Sequence, residues 1–479
     1  MKIKVISQNV RHPNDGPNHM VADRIPRVRE LLKKYDPDIA GFQEVRQRWL
    51  DFLTEDFGEE YVIHHKYRSV NNLEAATMMW RKSKFDCLDK GYFWLSPTPH
   101  IESHSWPCGS DYKDYRIVMW ATLREKESGV TFTYFNTHYS FGDERHCLSN
   151  QLIKDHIREA HIDAAVVTAD YNFTNLSVGY RNMTKDLYDL NAATVNDFRT
   201  TFPAYKHNRD YYPIDFIFCT KDTIAPITYH LMDETFDGYF ASDHFGIYGE
   251  FEVKEKLRLG SLDVNAAAPD TEENPLAARA KYSGAILQYT TEADLYGFQN
   301  VTEEWRKGMA EKYQKFSAAG LETAPIFYRV GKYEPVEEKE LAKCSVVVFR
   351  NCATKQKVCV INGTLPDAEA AALVQAEAEA HNEMPVFFMG SVGTVGNAAY
   401  EQLAQGLTDA RRAVAPKDTA PTYEGFRNEW VAPAITDMIF TNGVKSKLLE
   451  YKVANGVYGK VRVSDHNQVL VTVLLDNED

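Results

Sequence analysis

Apolar and polar positions alternate in short runs along the chain, and amphipathic segments separate these runs. Residues 1–7 alternate and predict a first strand. Apolar side chains from Ile25 to Leu32 then recur at helical spacing, and the apolar run 39–42 predicts a second strand. The same periodicities predict strands at 76–80, 117–123, 130–136, 164–169 and 213–219, and helices at 144–159 and 368–380. This order predicts a mixed α/β fold with sheets beneath outer helices, in which polar residues at strand ends meet along one rim.

One order of segments occurs twice. The run 39–45, followed by Trp49, returns as 295–301, followed by Trp305. Each copy closes on Ser-Asp-His, at 242–244 and 464–466, just before an alternating run that predicts a final strand. Further matches keep the same order: 3–10 with 257–264, 80–85 with 328–333, 135–137 with 361–363, and 215–218 with 437–440. We therefore predict a tandem duplication, with one domain at residues 1–254 and a second at 255–479.

Length and composition agree with two folded domains. The chain has 479 residues, 44% of them hydrophobic, and single cores stop growing at roughly 250 to 300 residues. The formal net charge of −14 argues against tight binding of duplex nucleic acid, which depends on clustered lysine and arginine. The seven cysteines form no Cys-x-x-Cys pair, and no apolar run approaches the roughly 20 residues of a membrane span. With a strand where a signal peptide would begin, we expect a cytoplasmic protein with reduced thiols and no membrane span.

Polar residues in the first copy fall where predicted strands end. The set comprises Asn9, Glu44, His138, Asp170, Asn172, Asp215, Asp243 and His244. Any one of them alone is better explained as a turn or core residue. Together they supply the oxygen donors that a hard divalent cation needs and the imidazoles that can move protons near a phosphate.

These segments carry a family resemblance. The runs Ser7-Gln8-Asn9, Phe42-Gln43-Glu44-Val45, Asn136-Thr137-His138, Ala169-Asp170-Tyr171-Asn172, Ile214-Asp215-Phe216 and Ser242-Asp243-His244 resemble the endonuclease/exonuclease/phosphatase superfamily, the fold of deoxyribonuclease I. The family usually has Gly-Asp-Phe-Asn where this chain has Ala169-Asp170-Tyr171-Asn172, and both key polar residues remain. The resemblance implies two tandem four-layer α/β sandwiches, each with two packed mixed sheets flanked by helices.

The resemblance also implies roles for the residues of the first copy. Glu44 and Asn9, with Asp243, would bind Mg²⁺ or Mn²⁺, while Asp170 and Asn172 would orient the attacking water and the phosphate. His244, held by Asp215 or Asp243, and His138, fixed by Glu74, would face the phosphate from two sides. Which histidine is the acid and which the base stays open. Arg116 is a candidate phosphate ligand, although a surface salt bridge is its more common fate. We interpret His12, His19, His64 and His65 as ordinary surface residues.

The second copy keeps only part of this set. Asn300 replaces the ligand glutamate, Thr364 the histidine, and Ser391 the aspartate of the Asp-x-Asn pair. Asp263, Glu322, Asp437, Asp465 and His466 persist. Because a divalent cation there would lose most of its charged ligands, we expect a catalytically silent domain. Whether it shapes the substrate cleft, binds a partner or only packs against its twin stays open.

We therefore expect a metal-dependent phosphodiesterase or phosphatase in which water attacks directly, since the chain has no Gly-x-Ser-x-Gly nucleophile motif. Its charge favours a small or lipid-like organic phosphate as substrate over nucleic acid. A metal-dependent nuclease and an inactive scaffold or binding protein are the alternatives. We expect a monomer in which the two domains form an intramolecular pseudo-dimer.

Overall fold

The computed structural model describes residues 2–108, 113–206, 211–290, 293–309, 315–426, 431–458 and 460–476. It divides into two compact units, Met1–Lys254 and Glu255–Asp479. Each unit is built on two six-stranded sheets. The two units are described separately below.

The first unit contains strands β1 to β12 and helices α1 to α4. The strands are β1 (Lys2–Asn9), β2 (Ile39–Val45), β3 (Tyr61–Ser69), β4 (Asn72–Arg81), β5 (Phe85–Trp94), β6 (Ile117–Glu125), β7 (Thr131–His138), β8 (Ala165–Asp170), β9 (Leu187–Asp189), β10 (Asp215–Thr220), β11 (Ile224–Met232) and β12 (Gly246–Val253). The helices are α1 (Val21–Tyr35), α2 (Gln47–Phe57), α3 (Asp143–Glu159) and α4 (Val178–Met183).

Both sheets of the first unit are mixed. One sheet has the order β11-β12-β1-β2-β4-β3, and the other has the order β5-β6-β7-β8-β10-β9. Within them, β1 runs parallel to β2 and β7 runs parallel to β8. Because parallel neighbours end at the same edge, the carboxyl ends of these four strands can bring their polar residues together.

Three apolar cores separate four layers in the first unit. The central core lies between the sheets, where Val5 and Ile39 of one sheet pack with Met119 and Val166 of the other. A second core packs α1 and α2 against the first sheet, through side chains such as Leu31. A third packs α3 and α4 against the second sheet. Alternate strand residues point to opposite faces, so both faces of each sheet are buried.

The second unit contains strands β13 to β26 and helices α5 to α9. The strands are β13 (Glu255–Asp263), β14 (Leu295–Gln299), β15 (Phe316–Ala319), β16 (Ile326–Arg329), β17 (Tyr333–Leu341), β18 (Cys344–Asn351), β19 (Lys357–Thr364), β20 (Val386–Ser391), β21 (Thr408–Asp409), β22 (Asp437–Thr441), β23 (Ser446–Ala454), β24 (Val457–Tyr458), β25 (Val461–Arg462) and β26 (Gln468–Leu475). The helices are α5 (Leu276–Ala285), continued by the π-helical turn Ile286–Thr290, α6 (Glu303–Met309), α7 (Ala368–Ala380), α8 (Ala398–Leu403) and α9 (Ala410–Val414).

The second unit repeats the strand order of the first. Its sheets run β23-β26-β13-β14-β16-β15 and β17-β18-β19-β20-β22-β21, and β24 pairs with β25 in a small extra ribbon. Its main departure lies in one hairpin: β3 and β4 have 9 and 10 residues, whereas β15 and β16 have 4 each. The predicted tandem four-layer sandwich is confirmed.

The predicted elements agree with the structure, with small differences at their ends. Helix α7 covers the predicted residues 368–380, and its N-cap Asp367 accepts a hydrogen bond from the backbone N–H of Ala370. Strand β4 is longer than the predicted run 76–80, because its polar first residues extend the hairpin. All seven cysteines lie in described parts of the chain and are free thiols. Within those parts, each helix is either too short or too polar to cross a bilayer.

Candidate active site

Three strands at their carboxyl ends and one at its amino end assemble a cluster of polar residues in the first unit. Asn9 ends β1, and His138 and Asp170 end β7 and β8 as partners in register. Asp215 begins β10 directly opposite Asp170. These four residues are buried, so the predicted convergence at one rim is observed.

Glu44 reaches the cluster because its strand is irregular. The register of β2 against β4 shifts between Phe42 and Val45, and Glu44 has a φ of 59°. A side chain at positive φ is unfavourable for most residues, and such strain concentrates at functional sites. The irregularity turns the Glu44 carboxylate toward Asn9, whose Nδ2 donates to Glu44 Oε1 over 3.2 Å.

The amide of Asn9 joins two carboxylates. Its Nδ2 also donates to Asp170 Oδ2 over 2.9 Å, while its Oδ1 accepts from the backbone N–H of Arg11. Two acidic side chains thus converge on one amide group in a buried position. Burial and the neighbouring Asp215 raise the pKa of Asp170, since a charged carboxylate is disfavoured there.

His244 is held by Asp215. The Nδ1 of His244 lies 2.9 Å from Asp215 Oδ2, which also accepts a 2.6 Å hydrogen bond from Thr201 Oγ1. The Nε2 of His244 lies 3.7 Å from Asp170 Oδ2. Burial alone would lower the pKa of His244, but Asp215 and Asp170 raise it to about 10. Of the two predicted partners of His244, the structure therefore selects Asp215 over Asp243.

His138 occupies the other side of Asp170. Its Nε2 lies 3.4 Å from Asp170 Oδ2 and 3.0 Å from Asn172 Nδ2. Its Nδ1 faces Arg68 Nη2 at 2.8 Å, whereas Glu74 Oε1 is 3.8 Å away. Burial, Arg116 and Arg68 hold the pKa of His138 well below its usual value.

Glu74 contacts His138 less directly than we predicted. Its Oε1 forms a close ion pair with Arg68, and Arg68 in turn donates to the ring. We predicted that Glu74 fixes His138, and the structure places Glu74 Oε1 3.8 Å from His138 Nδ1, with the Arg68 guanidinium nearer to the ring. Arg68 has no signal in the sequence, since it is 70 positions from His138 and lies in an ordinary polar strand.

The position of His12 differs from our interpretation. We interpreted it as a surface residue, but its Nδ1 lies 2.8 Å from Glu44 Oε2, and its backbone N–H donates to the same oxygen. Burial would raise the pKa of Glu44, but the His12 contacts and the nearby His138 hold it below the usual range. The position of His12 shortly after Asn9, at the end of a strand, was the available signal.

The cluster opens into a cavity of about 720 Å³. Asp243 lines it and lies 3.4 Å from Arg11 Nε. Arg116 also lines the cavity. It is buried and forms a 2.7 Å salt bridge with Asp114, so this salt bridge does not lie on the surface as the alternative interpretation required. The cationic side chains of the lining are Arg11, Arg68, Lys113 and Arg116. Five carboxylates line it too, so positive and negative groups nearly balance: Glu44, Glu74, Asp114, Asp170 and Asp243.

The donor set fits a hard divalent cation. Glu44, Asp170 and Asp243 place carboxylates at one cavity, with the Asn9 amide between two of them. Buried carboxylates in such proximity repel each other unless a positive charge balances them. A second group, Asp170 with Asp215 and His244, also has metal-ligand spacing. There, however, the Asp215 carboxylate and the His244 Nδ1 already bind each other, which suits proton handling better.

The second unit has a reduced version of this cluster. His466 Nδ1 lies 2.7 Å from Asp437 Oδ2 and His466 Nε2 lies 4.0 Å from Asp465 Oδ1. Asn300, with a φ of 54°, donates from Nδ2 to Asp263 Oδ2 over 2.6 Å. Thus the amide and carboxylate have exchanged positions relative to Asn9 and Glu44.

Two other positions of the second cluster lack the histidine and the aspartate of the first. Thr364 pairs with Ser391 at the strand ends where His138 and Asp170 stand in the first unit. We expected Glu322 to persist at the site, and that prediction is wrong. Glu322 is exposed and forms a 2.8 Å ion pair with Arg306, because the shortened β15–β16 hairpin ends before reaching the cluster.

The sandwich fold and the buried carboxylates, amides and histidines of the first unit define a phosphoester hydrolase of the deoxyribonuclease I-like class. A family model described as Endonuclease/Exonuclease/phosphatase family matches residues 6–244. The chain belongs to this family through its N-terminal unit, and the family's dependence on a divalent metal agrees with the donor set.

Similar solved structures each cover about half of this chain. An endonuclease/exonuclease/phosphatase family protein from Bacteroides thetaiotaomicron is 25% identical and covers 52% of this chain and 97% of its own, with a TM-score of 0.48. A mannosyl-6-phosphatase of the same species is 25% identical, with coverages of 52% and 99% and a TM-score of 0.48. An endonuclease/exonuclease/phosphatase from Bacteroides vulgatus is 27% identical, with coverages of 53% and 99% and a TM-score of 0.48. A comparison with curated proteins found no match.

Proposed function

We propose that the N-terminal unit hydrolyses a small or lipid-like organic phosphate by direct attack of water, with Mg²⁺ or Mn²⁺ as cofactor. One observation carries this proposal: Asp170 lies between the imidazoles of His138 and His244, beside the Asn9–Glu44 pair, at the base of one cavity. Acidic, amide and imidazole groups in that arrangement can bind a phosphate and activate a water on it.

Each residue has a role that follows from its contacts. Glu44, Asn9 and Asp243 would hold the cation, which when bound would neutralise phosphate charge and polarise a phosphoryl oxygen. Asp170 accepts from Asn9 and would take a proton from the attacking water, which its raised pKa favours. Asn172, whose amide lies beside His138, would orient the phosphate.

The two histidines act from opposite sides. Asp215 keeps His244 protonated, so that its Nε2–H would stabilise the negative charge that develops on the phosphate. Asp215 itself also accepts from Thr201, so the orientation of the ring is fixed from behind.

The cavity supports a small substrate. Its volume of about 720 Å³ matches the range typical of small-molecule sites. The lining carries four cationic side chains, Arg11, Arg68, Lys113 and Arg116, beside five carboxylates, Glu44, Glu74, Asp114, Asp170 and Asp243, and the whole chain has a net charge of −14. A bound divalent cation would tip this near balance toward positive charge in the cavity alone, which favours a single phosphate group over a long polyanion.

We further propose that the C-terminal unit is catalytically silent. Asn300, Thr364 and Ser391 stand where the first unit has Glu44, His138 and Asp170. The positions proposed to hold the cation keep two carboxylates and one amide, since Asp263, Asn300 and Asp465 stand where the first unit has Asn9, Glu44 and Asp243. With Ser391 and Thr364 in place, no counterpart of Asp170 or His138 is left to act on the attacking water. Burial and the nearby Asp437 raise the pKa of Asp263 to about 6, although His466 and the Asn300 amide favour its charged form.

Hydrolysis of p-nitrophenyl phosphate and bis-p-nitrophenyl phosphate by the full chain tests both proposals. After treatment with EDTA, activity should be absent, and added Mg²⁺ or Mn²⁺ should restore it. We expect His244→Asn to lower kcat by about 100-fold or more, and its matched control His466→Asn to leave kcat unchanged. No hydrolysis with either metal, or equal losses in the two variants, would contradict the proposal. A supercoiled plasmid nicked faster than the small esters are cleaved would favour a nuclease instead.

A further inference from the structure

A second cavity lies next to the candidate active site in the first unit. Its volume is about 600 Å³, which is within the range of small-molecule sites. Tyr211 lines both this cavity and that of the candidate site, so the two adjoin there. We call the second cavity the aromatic pocket, because five aromatic side chains line it: Phe198, Tyr211, Tyr212, Phe240 and Phe245.

Two short segments carry residues of both cavities. In the first segment, Phe202 lines the cavity of the candidate site, with 4.7 Å between its ring centroid and that of His244, whereas Thr200 lines the aromatic pocket. In the second, His244 lines the cavity and the next residue, Phe245, lines the pocket. The backbone N–H of Phe245 donates to the carbonyl of Thr201 over 2.8 Å, which joins the segments. A group in the pocket therefore lies close to the histidine proposed to act on the phosphate.

The charged groups of the aromatic pocket are paired with each other. In the described part of its lining, these groups are Arg199 and Asp233. The Nη1 of Arg199 donates to Asp233 Oδ2 over 2.7 Å, and its Nε donates to Asp197 Oδ2 over 2.9 Å. Because two carboxylates already hold this guanidinium, it is poorly placed to bind a second phosphate. The pocket therefore suits an uncharged group.

We propose that the aromatic pocket binds the organic part of the phosphate ester, and that this part is an uncharged group with a ring. The inference rests on the proposed function, which places the phosphate in the adjoining cavity. Aromatic side chains pack favourably against a ring, either stacked with an offset or edge to face. Phe240 and Phe245 contact each other edge to face, with 5.0 Å between their centroids. Leu231 is the one aliphatic side chain in the described lining, so the pocket offers few such contacts to an acyl chain.

The second unit has polar residues where the first has the aromatic pair. Counted from the shared Ser-Asp-His segment, Arg462 stands at the position of Phe240 and Asn467 at that of Phe245. The Nη2 of Arg462 donates to Asn467 Oδ1 over 3.1 Å. A hydrogen bond thus replaces the edge-to-face contact, although both units share the strand order around it. The aromatic pair occurs in the unit that has the complete candidate site, as expected of a contact with substrate.

Isothermal titration calorimetry of the full chain with Mg²⁺ tests the pocket without turnover, because the phosphorus–carbon bond of a phosphonate is not hydrolysed. The probes are methylphosphonate, hexylphosphonate, benzylphosphonate and 3-phenylpropylphosphonate, and the last two hold a ring at different distances from the phosphorus. We expect the tighter of these two to bind about 10-fold more strongly than methylphosphonate and at least about 3-fold more strongly than hexylphosphonate. A smaller preference over either probe, or no binding at all, would overturn the proposal.

Substitutions at Tyr212 and Phe245 locate the bound ring. Tyr212 is 47% exposed, so Tyr212→Ala removes a ring of the pocket without opening the core. Phe245→Asn introduces the residue of the second unit, and Phe245→Leu is its matched apolar control. We expect Tyr212→Ala and Phe245→Asn to reduce the preference over methylphosphonate to less than about 3-fold, and Phe245→Leu to keep more of it than Phe245→Asn. An unchanged preference in folded Tyr212→Ala and Phe245→Asn would overturn the proposal, and Tyr212→Ala alone decides if Phe245→Asn does not fold.

Initial rates relate the pocket to the proposed hydrolysis. Benzyl phosphate and ethyl phosphate both release an unactivated alcohol, so their chemical steps are similar. We expect Tyr212→Ala to raise KM for benzyl phosphate by about 5- to 10-fold, with kcat within about 2-fold and a smaller rise in KM for ethyl phosphate. An equal rise for both substrates would contradict a role in binding the ring. If the chain hydrolyses neither ester but binds the ring-bearing phosphonates selectively, the proposed hydrolysis is refuted and the aromatic pocket is supported.

Discussion

The imidazole of His466 and the carboxylate of Asp437 form a buried hydrogen-bonded pair, with 2.7 Å between Nδ1 and Oδ2. The same pair occurs in the first unit, where 2.9 Å separates His244 Nδ1 from Asp215 Oδ2. The second unit thus retains this ion pair, although Thr364 and Ser391 stand where the first unit has His138 and Asp170. A buried pair of this kind makes stability depend on pH.

The first prediction concerns that dependence. Burial alone would lower the pKa of His466, but Asp437 and the nearby Asp263 raise it to about 9 from the ordinary value of 6.5. A raised pKa of a histidine stabilises the fold fully below pH 6.5, and this contribution disappears as the pH rises through about 9. We expect the second unit to lose roughly 3 kcal/mol of stability across this interval, at 1.36 kcal/mol per pKa unit.

Hydrogen exchange followed by mass spectrometry can measure this loss in peptides from β22 and β26, with rates corrected for the intrinsic effect of pH. The matched variant Asp437→Asn keeps the shape of the side chain but removes the charge, so its protection should change little between pH 6.5 and pH 9. Equal losses in the wild-type chain and the variant would show that other groups cause the pH dependence.

A second prediction follows from the strained backbone at Glu44. Glu44 has a φ of 59° and its counterpart Asn300 a φ of 54°, and asparagine tolerates this conformation better than glutamate. We expect Glu44→Asn to leave the melting temperature unchanged or higher, because it relieves strain and removes a buried charge. Metal-dependent hydrolysis should fall by about 100-fold or more, since a carboxylate proposed to hold the cation is lost. Calorimetry and initial rates measure the two effects, and Asn300→Ala is the control that should not change the rate. A Glu44→Asn variant that is both less stable and fully active would contradict the prediction.

The strand-end residues could be predicted because one local rule places them. Asn9, His138 and Asp170 each close an apolar run, and parallel neighbours such as β7 and β8 end at the same edge. Helix α7 could be predicted equally well, because its N-cap Asp367 is followed directly by residues with helical periodicity. In these cases a pattern over about ten residues fixes the structure.

The partners of those residues could not be predicted in the same way. Arg68 and His138 are in contact although they are 70 residues apart in the sequence. The pattern of polar and apolar positions does not show which polar residue of a strand has a buried side chain. Glu322 was misplaced because a shortened hairpin moves its tip away from the site without altering the motif around it. His12 lies in a polar loop, and its contact with Glu44 depends on the strand irregularity there.

A third prediction concerns two buried arginines at equivalent places. Arg24 is fully buried and donates to the carbonyls of Arg11, Pro13 and His19 over 2.6 to 3.0 Å, and also to that of Val10. It therefore shapes the loop that carries Arg11 and His12 into the cavity. We expect Arg24→Met to cost roughly 3 kcal/mol of stability, because several buried carbonyls lose their partner. It should also lower kcat/KM.

Arg279 provides the matched control. It donates to the carbonyls of Val264, Asn265 and Val463 over 2.9 to 3.1 Å, and it is fully buried in the second unit. Arg279→Met should cost a similar amount in urea-induced unfolding but leave kcat/KM unchanged at a temperature where both variants are folded. If the two variants lose activity equally, the loop of the first unit does not depend on Arg24 for its function.

The last prediction concerns the close approach of the two sheets at Gly41. A Cβ atom added there would collide with the side-chain oxygens of Asn136 and Thr168. This asparagine is fully buried and joins the sheets by donating to the carbonyls of Phe42 and Thr77 over 3.0 and 2.9 Å. We expect Gly41→Ala to cost about 2 to 3 kcal/mol in urea-induced unfolding, because neither the backbone nor the asparagine can move without losing these bonds.

A double-mutant cycle shows whether the collision is the cause. Asn136→Ala alone is destabilising because it leaves the two carbonyls without a partner. It also removes one of the two colliding side chains and the hydrogen bond that holds the other, Thr168, toward Asn136. The Gly41→Ala/Asn136→Ala variant should therefore lose at least about 1 kcal/mol less than the sum of the single losses. Gly456→Ala, where the added carbon has only ordinary contacts, should change stability by less than about 0.5 kcal/mol. Additive losses in the cycle would mean that Gly41 is required for another reason than its contact with Asn136.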